Sequence, residues 1–151
     1  MIIAPHITCG GTCARAIAFY ESVFPIESKS ITTLGDSPLA AMFPVTPENE
    51  SFVYHASLRF ACGTTITMGD SITLLLTPDN PGFYMQPIYD IYGLTVFEIN
   101  SIYTQFMDIG SVANAQLGPK DEYALFASFI DPFGVCWNLY CDKNGDTQSH
   151  L

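Results

Sequence analysis

The residues best equipped for chemistry are few and widely spaced. There are three histidines, His6, His55 and His150, far apart in the chain and in no metal-binding spacing. A lone strand histidine is more often a packed or hydrogen-bonded residue than a ligand. Arg59 is one of two arginines, with Arg15. Its guanidinium could hold a carboxylate or phosphate through two parallel hydrogen bonds. The plainer alternative is an ion pair with one of the 15 acidic side chains. The five cysteines, Cys9, Cys13, Cys62, Cys136 and Cys141, contain no Cys-x-x-Cys pair. Cys136 and Cys141 would point to opposite faces of a strand. These thiols read as small buried apolar groups and not as a zinc site.

The elements that must carry these residues follow from periodicity. Met1 to Cys9 is apolar and strand-like, and Gly10-Gly11 breaks it. Thr12 stands where a helix N-cap belongs. Ala16, Ile17, Tyr20, Val23 and Phe24 then fall at helical spacing, and Pro25 stops the helix. Strands are expected over 26–34, 52–61 and 64–68, with Gly69-Asp70 as a break and a further extended run over 72–76. The proline-rich loop 35–51 leaves room for a short strand near Ala40 to Phe43. Residues 77–90, with Pro78, Pro81, Gly82 and Pro87, read as a linker. The pattern then restarts, with a strand over 92–99, a helix over 101–109 and strands over 112–117, 123–130 and 135–141. Gly118 to Asp121 reads as a loop, and 144–151 as a polar, mobile tail.

The order is βαβββ, linker, βαβββ, giving an α+β chain of two modules (about 1–76 and 91–143) within one domain over 1–143. Alternation puts Tyr54, Ala56, Leu58 and Phe60 on one face of a strand, and His55, Ser57 and Arg59 on the other. The polar face would meet solvent or line a ligand cavity.

Composition narrows the partners. The formal net charge is −10, with only five basic residues. That field opposes nucleic acid and anionic membrane surfaces. No apolar run approaches the ~18 residues of a membrane span. No secretory signal is visible, and an odd cysteine count reads as reduced thiols, so the expected location is cytoplasmic. Charged residues make up only 13%, which suggests a surface partly covered by a second copy, as in a homodimer.

Three stretches carry a resemblance: AIAFYESVF from Ala16 to Phe24, HASLRFACGTTITMGD from His55 to Asp70, and FIDPFGVCWNL from Phe129 to Leu139. Together they resemble the PhnB-like branch of the glyoxalase/bleomycin-resistance/dioxygenase (vicinal oxygen chelate) superfamily. Sequences similar to that branch are often labelled 3-demethylubiquinone-9 3-methyltransferase. The resemblance runs over about 3–143, and the Asp131-Pro-Phe-Gly-Val-x-Trp137 hairpin is its most specific part. Read from its residues, that hairpin is a turn device, with Pro132 setting φ and Gly134 free to take φ > 0.

The resemblance implies that the two modules form a half-open cup. It also implies metal-ligand positions on the first, fourth, fifth and eighth strands, which fall on His6, Thr67, Leu94 and Asn138. One imidazole, a hydroxyl, an amide and a leucine make a poor metal site. The expectation is therefore a small organic ligand, no metal and no other cofactor. His6, His55, Arg59, Thr67, Asn138 and Tyr140 are the candidate ligand-binding residues. One alternative is a lyase or transferase of the glyoxalase/dioxygenase type with a non-standard site, with His6 or His55 as base. Another is a structural or regulatory homodimer whose cup is filled by its own side chains.

Overall fold

The computed structural model describes residues 4–71 and 86–143. The extended run over 72–76, most of the linker, His150 and the polar tail lie outside the described residues. The chain divides into two compact units, residues 1–85 and 86–151.

In the first unit, β1 (His6–Cys9), α1 (Cys13–Val23), β2 (Ile26–Thr33), β3 (Val53–Phe60) and β4 (Thr65–Asp70) form a helix and a four-stranded sheet. The sheet order is β1-β4-β3-β2, with β1 parallel to β4 and the other pairs antiparallel. Ile7, Ala56, Leu58, Ile66 and Met68 are buried with Ala16, Ile17 and Tyr20 of α1. The helix is amphipathic at the expected spacing and covers one sheet face. The other face is a polar row, His6, Thr67, Ser57 and Ser30 lying side by side in register.

Several local expectations change. The short strand near Ala40 to Phe43 is instead a 3-10 turn, Pro38–Ala41, capped by the Ser37 hydroxyl, which accepts from the Leu39 amide. Thr12 makes no side-chain cap on α1. The cap comes from Asp70, whose Oδ1 accepts from the Gly11 and Cys13 amides at 2.8 and 3.1 Å. Its Oδ2 accepts from Val53 N at 2.9 Å. One buried carboxylate thus ties together the helix start and the ends of β3 and β4.

Gly69 and Asp70 continue β4 and do not break it. A Cβ at Gly69 would lie 2.8 Å from the Tyr54 carbonyl oxygen, so only glycine lets the two backbones approach this closely. Tyr54 is the extra residue of a β-bulge, since Thr32 pairs with His55 and Thr33 with Val53. The bulge turns Tyr54 outward, 37% exposed, and puts Val53 in the core in its place. His55, Ser57 and Arg59 keep the polar face read from alternation.

In the second unit, β5 (Ile88–Ile91), α2 (Val96–Asp108), β6 (Val112–Lys120), β7 (Tyr123–Ile130) and β8 (Cys136–Asp142) repeat the plan. The sheet order is β5-β8-β7-β6, with β5 parallel to β8. Here the expected strand over 92–99 is wrong. The strand lies earlier, inside the proline-rich stretch, and the helix starts at Val96. Thr95 and Glu98 form a reciprocal capping box that fixes that start. Gly118 to Lys120 are not a loop but the end of β6, and Lys120 pairs with Tyr123 across a turn in which Asp121 takes φ 47°. Pro119 is tolerated because β6 is a sheet edge.

Ile99, Ile102 and Phe106 of α2 are buried against the sheet, with the Phe106 ring tilted against those of Phe129 and Trp137. The hairpin glycine behaves as read, with Gly134 at φ 90°. The carboxylate of Asp131 organises the rest of that turn. Its Oδ1 accepts from the Phe133 and Val135 amides, and its Oδ2 from the Trp137 indole N–H, all at 2.9 Å.

Candidate functional site

Each sheet has one face packed on its helix and one face free of it. The candidate residues fall on the helix-free faces: His6, His55, Arg59 and Thr67 in the first unit, Asn138 and Tyr140 in the second.

On the first sheet, register places His6 beside Thr67, and Thr67 beside Ser57. His6 Nδ1 lies 2.9 Å from Thr67 Oγ1. That hydroxyl donates its proton to the Pro5 carbonyl at 3.2 Å. The oxygen is then left as the acceptor for His6, so Nδ1 carries the ring proton and Nε2 presents a lone pair. Partial burial, and then the neighbouring charge of His55, hold the His6 imidazole below its ordinary pKa. Arg59 lies next to Thr65 in register, and its Nε is 3.6 Å from Glu27 Oε2, with both side chains 53% exposed. The ion-pair alternative is what the structure shows, and such an exposed pair contributes at most about 1 kcal/mol.

The depressed His6 pKa has a pH signature. The unfolded imidazole binds its proton near 6.5, and the folded one only at lower pH. Stability tied to neutral His6 is therefore complete above about pH 6.5 and is lost as pH falls through the folded value. Urea midpoints measured between pH 7.5 and 5 should fall more steeply for the wild type than for His6→Gln. Identical slopes would show that His6 is not desolvated.

On the second sheet, Asp90 lies beside Asn138, and Asn138 beside Ser128. Asn138 Nδ2 donates to Asp90 Oδ1 at 2.8 Å. Two residues along β8, Tyr140 stacks on Tyr92 at 4.5 Å and 13° between ring planes. Tyr123 and Phe126 meet Tyr140 at 4.9 and 5.0 Å. Lys120 Nζ sits 4.0 Å above the Phe126 ring. Burial first, and the Asp90 charge second, push the Tyr140 phenol up to about 12, so it stays neutral at physiological pH.

Asp90 is the residue that sequence reasoning missed. With β5 placed four residues too late, the fifth-strand position fell on Leu94. Leu94 in fact follows the strand and donates its amide to the Tyr140 carbonyl. The parallel pairing of β5 with β8 identifies Asp90 as the residue opposite Asn138, as His6 is opposite Thr67. A short alternation, Ile88-Tyr89-Asp90-Ile91, was the available signal, masked by Pro87.

The chain has the fold of the glyoxalase/bleomycin-resistance/dioxygenase superfamily, two four-stranded sheets each with its helix. A protein from Pseudomonas aeruginosa is similar at a TM-score of 0.70 and 22% identity, over 94% of this chain and 98% of that one. A PhnB protein from Bacillus cereus, described as a 3-demethylubiquinone-9 3-methyltransferase, is similar at 0.66 and 22%, over 93% and 99%. These likenesses accord with the PhnB-like resemblance of the sequence, and at such identities they are likenesses of fold. A mutant of the fosfomycin resistance protein FosX from Listeria monocytogenes is similar at 0.56 and 14%, over 95% and 92%. It was solved with Mn(II) and 1S,2S-dihydroxypropylphosphonic acid. No protein-family model and no curated protein sequence matches the chain.

The metal that this fold family implies does not suit the residues at the corresponding places. In the first unit His6 and Thr67 supply one strong donor, an imidazole, and in the second Asp90 and Asn138 supply one, a carboxylate, where about three are needed. Among the described residues, no group of three or more His, Cys, Asp or Glu side chains could hold a metal ion. No described helix is long and apolar enough to cross a membrane.

Proposed function

We propose that this protein binds a small organic molecule, held by polar and aromatic side chains and not by a metal ion. The observation that carries this reading is the helix-free face of the second sheet. There the Asp90–Asn138 pair adjoins the Tyr92–Tyr140 stack, so oriented polar groups lie next to broad apolar rings. Binding sites combine these two ingredients, with rings for contact area and a few fixed polar groups for orientation. Taken by itself, the first sheet carries its own polar feature, the His6–Thr67 pair, with a defined tautomer.

A thermal-shift screen of organic acids, amines and aromatic heterocycles tests the reading. A ligand present at 100 times its Kd should add about 2.7 kcal/mol of stability, a rise of several degrees in Tm. Asn138→Ala and Tyr140→Ala should remove that rise. A broad screen without one stabilising compound would overturn the reading. Stoichiometric Zn, Ni, Mn or Fe bound through His6 in the purified protein would overturn its metal-free part.

One observation favours a second reading, a metal-independent enzyme. The lone pair on His6 Nε2 suits a general base. Unchanged turnover of a stabilising ligand in both His6→Ala and His55→Ala variants would remove it. The low charge content supports a homodimer, which light scattering at micromolar concentration would reveal.

A further inference from the structure

Resting on the reading that this protein binds an organic ligand, we propose that the helix-free face of the first sheet takes a hydroxylated carboxylic acid, of the sugar-acid type, with Arg59 as its anchor. Three observations carry the proposal, all within the first unit.

The first is the make-up of the face. Register aligns Ser28, Arg59 and Thr65 in one row, and Ser30, Ser57 and Thr67 in the next, with His6 beyond Thr67. A third row holds Thr32 and His55. No apolar side chain stands in these rows. Among the described residues, the hydroxyls of Ser28, Ser30, Ser57 and Thr65 and the His55 ring have no hydrogen-bond partner. A hydroxyl both donates and accepts, so a face made of hydroxyls matches a ligand that carries them too. A hydrocarbon ligand would find no apolar surface to bury against.

The second is charge. The chain has a net charge of −10, yet these rows hold Arg59, His6 and His55 and no acidic side chain. Burial first, and then the positive charge of His55, lower the His6 pKa, and no carboxylate opposes them. Other acids of the first unit are placed elsewhere. Glu21 of α1 pairs with Lys29, and Asp70 is buried at the start of α1. Asp36, Glu48 and Glu50 belong to the loop between β2 and β3.

The third is the state of Arg59. Its Nε lies 3.6 Å from Glu27 Oε2, longer than a hydrogen bond. Among the described residues, its two terminal nitrogens meet no partner. They can grip a carboxylate through parallel hydrogen bonds. Thr65 beside Arg59, and Ser57 two residues along β3, bring hydroxyl donors to the same place. The guanidinium field also reaches past Glu27. Hydrogen bonds from Thr64 first, and the Arg59 charge last, hold the Cys62 thiol below its ordinary pKa. Glu27 is the one carboxylate bordering the site, so removing its charge should strengthen binding.

Calorimetry on the full chain with four probes separates the possible ligands: D-gluconate, its neutral counterpart D-glucitol, hexanoate and inorganic phosphate. Gluconate should bind about tenfold more tightly than glucitol, the worth of one charged hydrogen-bonded contact, and more tightly than hexanoate or phosphate. Arg59→Gln should remove that tenfold preference and leave glucitol binding unchanged. Glu27→Gln should increase affinity for gluconate, and Ser57→Ala should weaken gluconate and glucitol alike. Circular dichroism checks that each variant is folded. Equal binding of gluconate and glucitol, a preference for hexanoate or phosphate, or gluconate binding unaltered by Arg59→Gln would overturn the sugar-acid site and leave the organic-ligand reading standing. So would failure of all four probes while another compound stabilises the protein. Failure of these probes together with an empty thermal-shift screen would overturn both.

Discussion

Asp70→Ala is expected to destabilise the protein by about 3–5 kcal/mol, because it strands three backbone donors at once, two buried and one half-buried. The carboxylate is 8% exposed and accepts from the amides of Gly11, Cys13 and Val53. Two of these amides belong to the entry into α1, where Thr12 provides no side-chain cap. The third starts β3 beside the Tyr54 bulge. At about 2–4 °C per kcal/mol for a chain of this size, Tm should fall by roughly 10 °C. Asp70→Asn should cost less, about 2 kcal/mol, because the amide oxygen can keep one set of contacts while its NH2 faces an amide donor. Urea unfolding followed by far-UV circular dichroism measures both. A loss under 1 kcal/mol for the alanine variant would show that water replaces the carboxylate without penalty.

Asp131→Ala should be comparably severe, about 3–5 kcal/mol by the same reasoning. Asp131 is 4% exposed and gathers the Phe133 and Val135 amides and the Trp137 indole N–H. Its loss affects turn and core together, because Trp137 also stacks on Tyr89 at 5.2 Å and packs on Phe106. Trp137 is the only tryptophan. Its emission therefore reports on this site, and a red shift in the folded variant should accompany the lower urea midpoint. Asp131→Asn keeps an oxygen for the two amides but turns an NH2 towards the indole N–H, so it should lie between wild type and alanine. A stable Asp131→Ala protein with unchanged emission would show that the hairpin depends on Pro132 and Gly134 alone.

These two carboxylates show how unevenly the structure could be read from residues. Asp131 lies in a hairpin whose turn chemistry is local, so the turn was legible, although the contact with Trp137 was not. Asp70 was read as part of a break. Its partners are 57 to 59 residues earlier and 17 residues back along the chain. Nothing in the local pattern distinguishes an aspartate that caps a distant helix from one that ends a strand.

The candidate site divides in the same way. His55, Ser57 and Arg59 keep the polar face read from alternation, because alternation within a strand determines the face once the strand is located. Asp90 was missed because β-branched and aromatic residues from Tyr92 to Ile99 outweighed a four-residue strand preceded by Pro87. The signal that should have decided the matter was Thr95-x-x-Glu98, a capping box that places the helix start at Val96. With Asp90 opposite Asn138, the second sheet carries a charged polar group where a leucine was expected. That difference underlies the organic-ligand reading, which rests on the Asp90–Asn138 pair.

The sequence by itself determined the two βαβββ modules, the amphipathic face of α1 and the turn at Gly134. Each depends on composition or on periodicity over a few residues. Tertiary structure alone decided which residues stand opposite one another. Register across β1–β4 and β5–β8 pairs His6 with Thr67 and Asp90 with Asn138, and the bulge at Tyr54 turns that ring outward. The stack on Tyr140 likewise joins residues 48 positions apart. Such pairings form because sheet and helix must bury their apolar faces together, a condition satisfied by the whole module and written in no single segment of it.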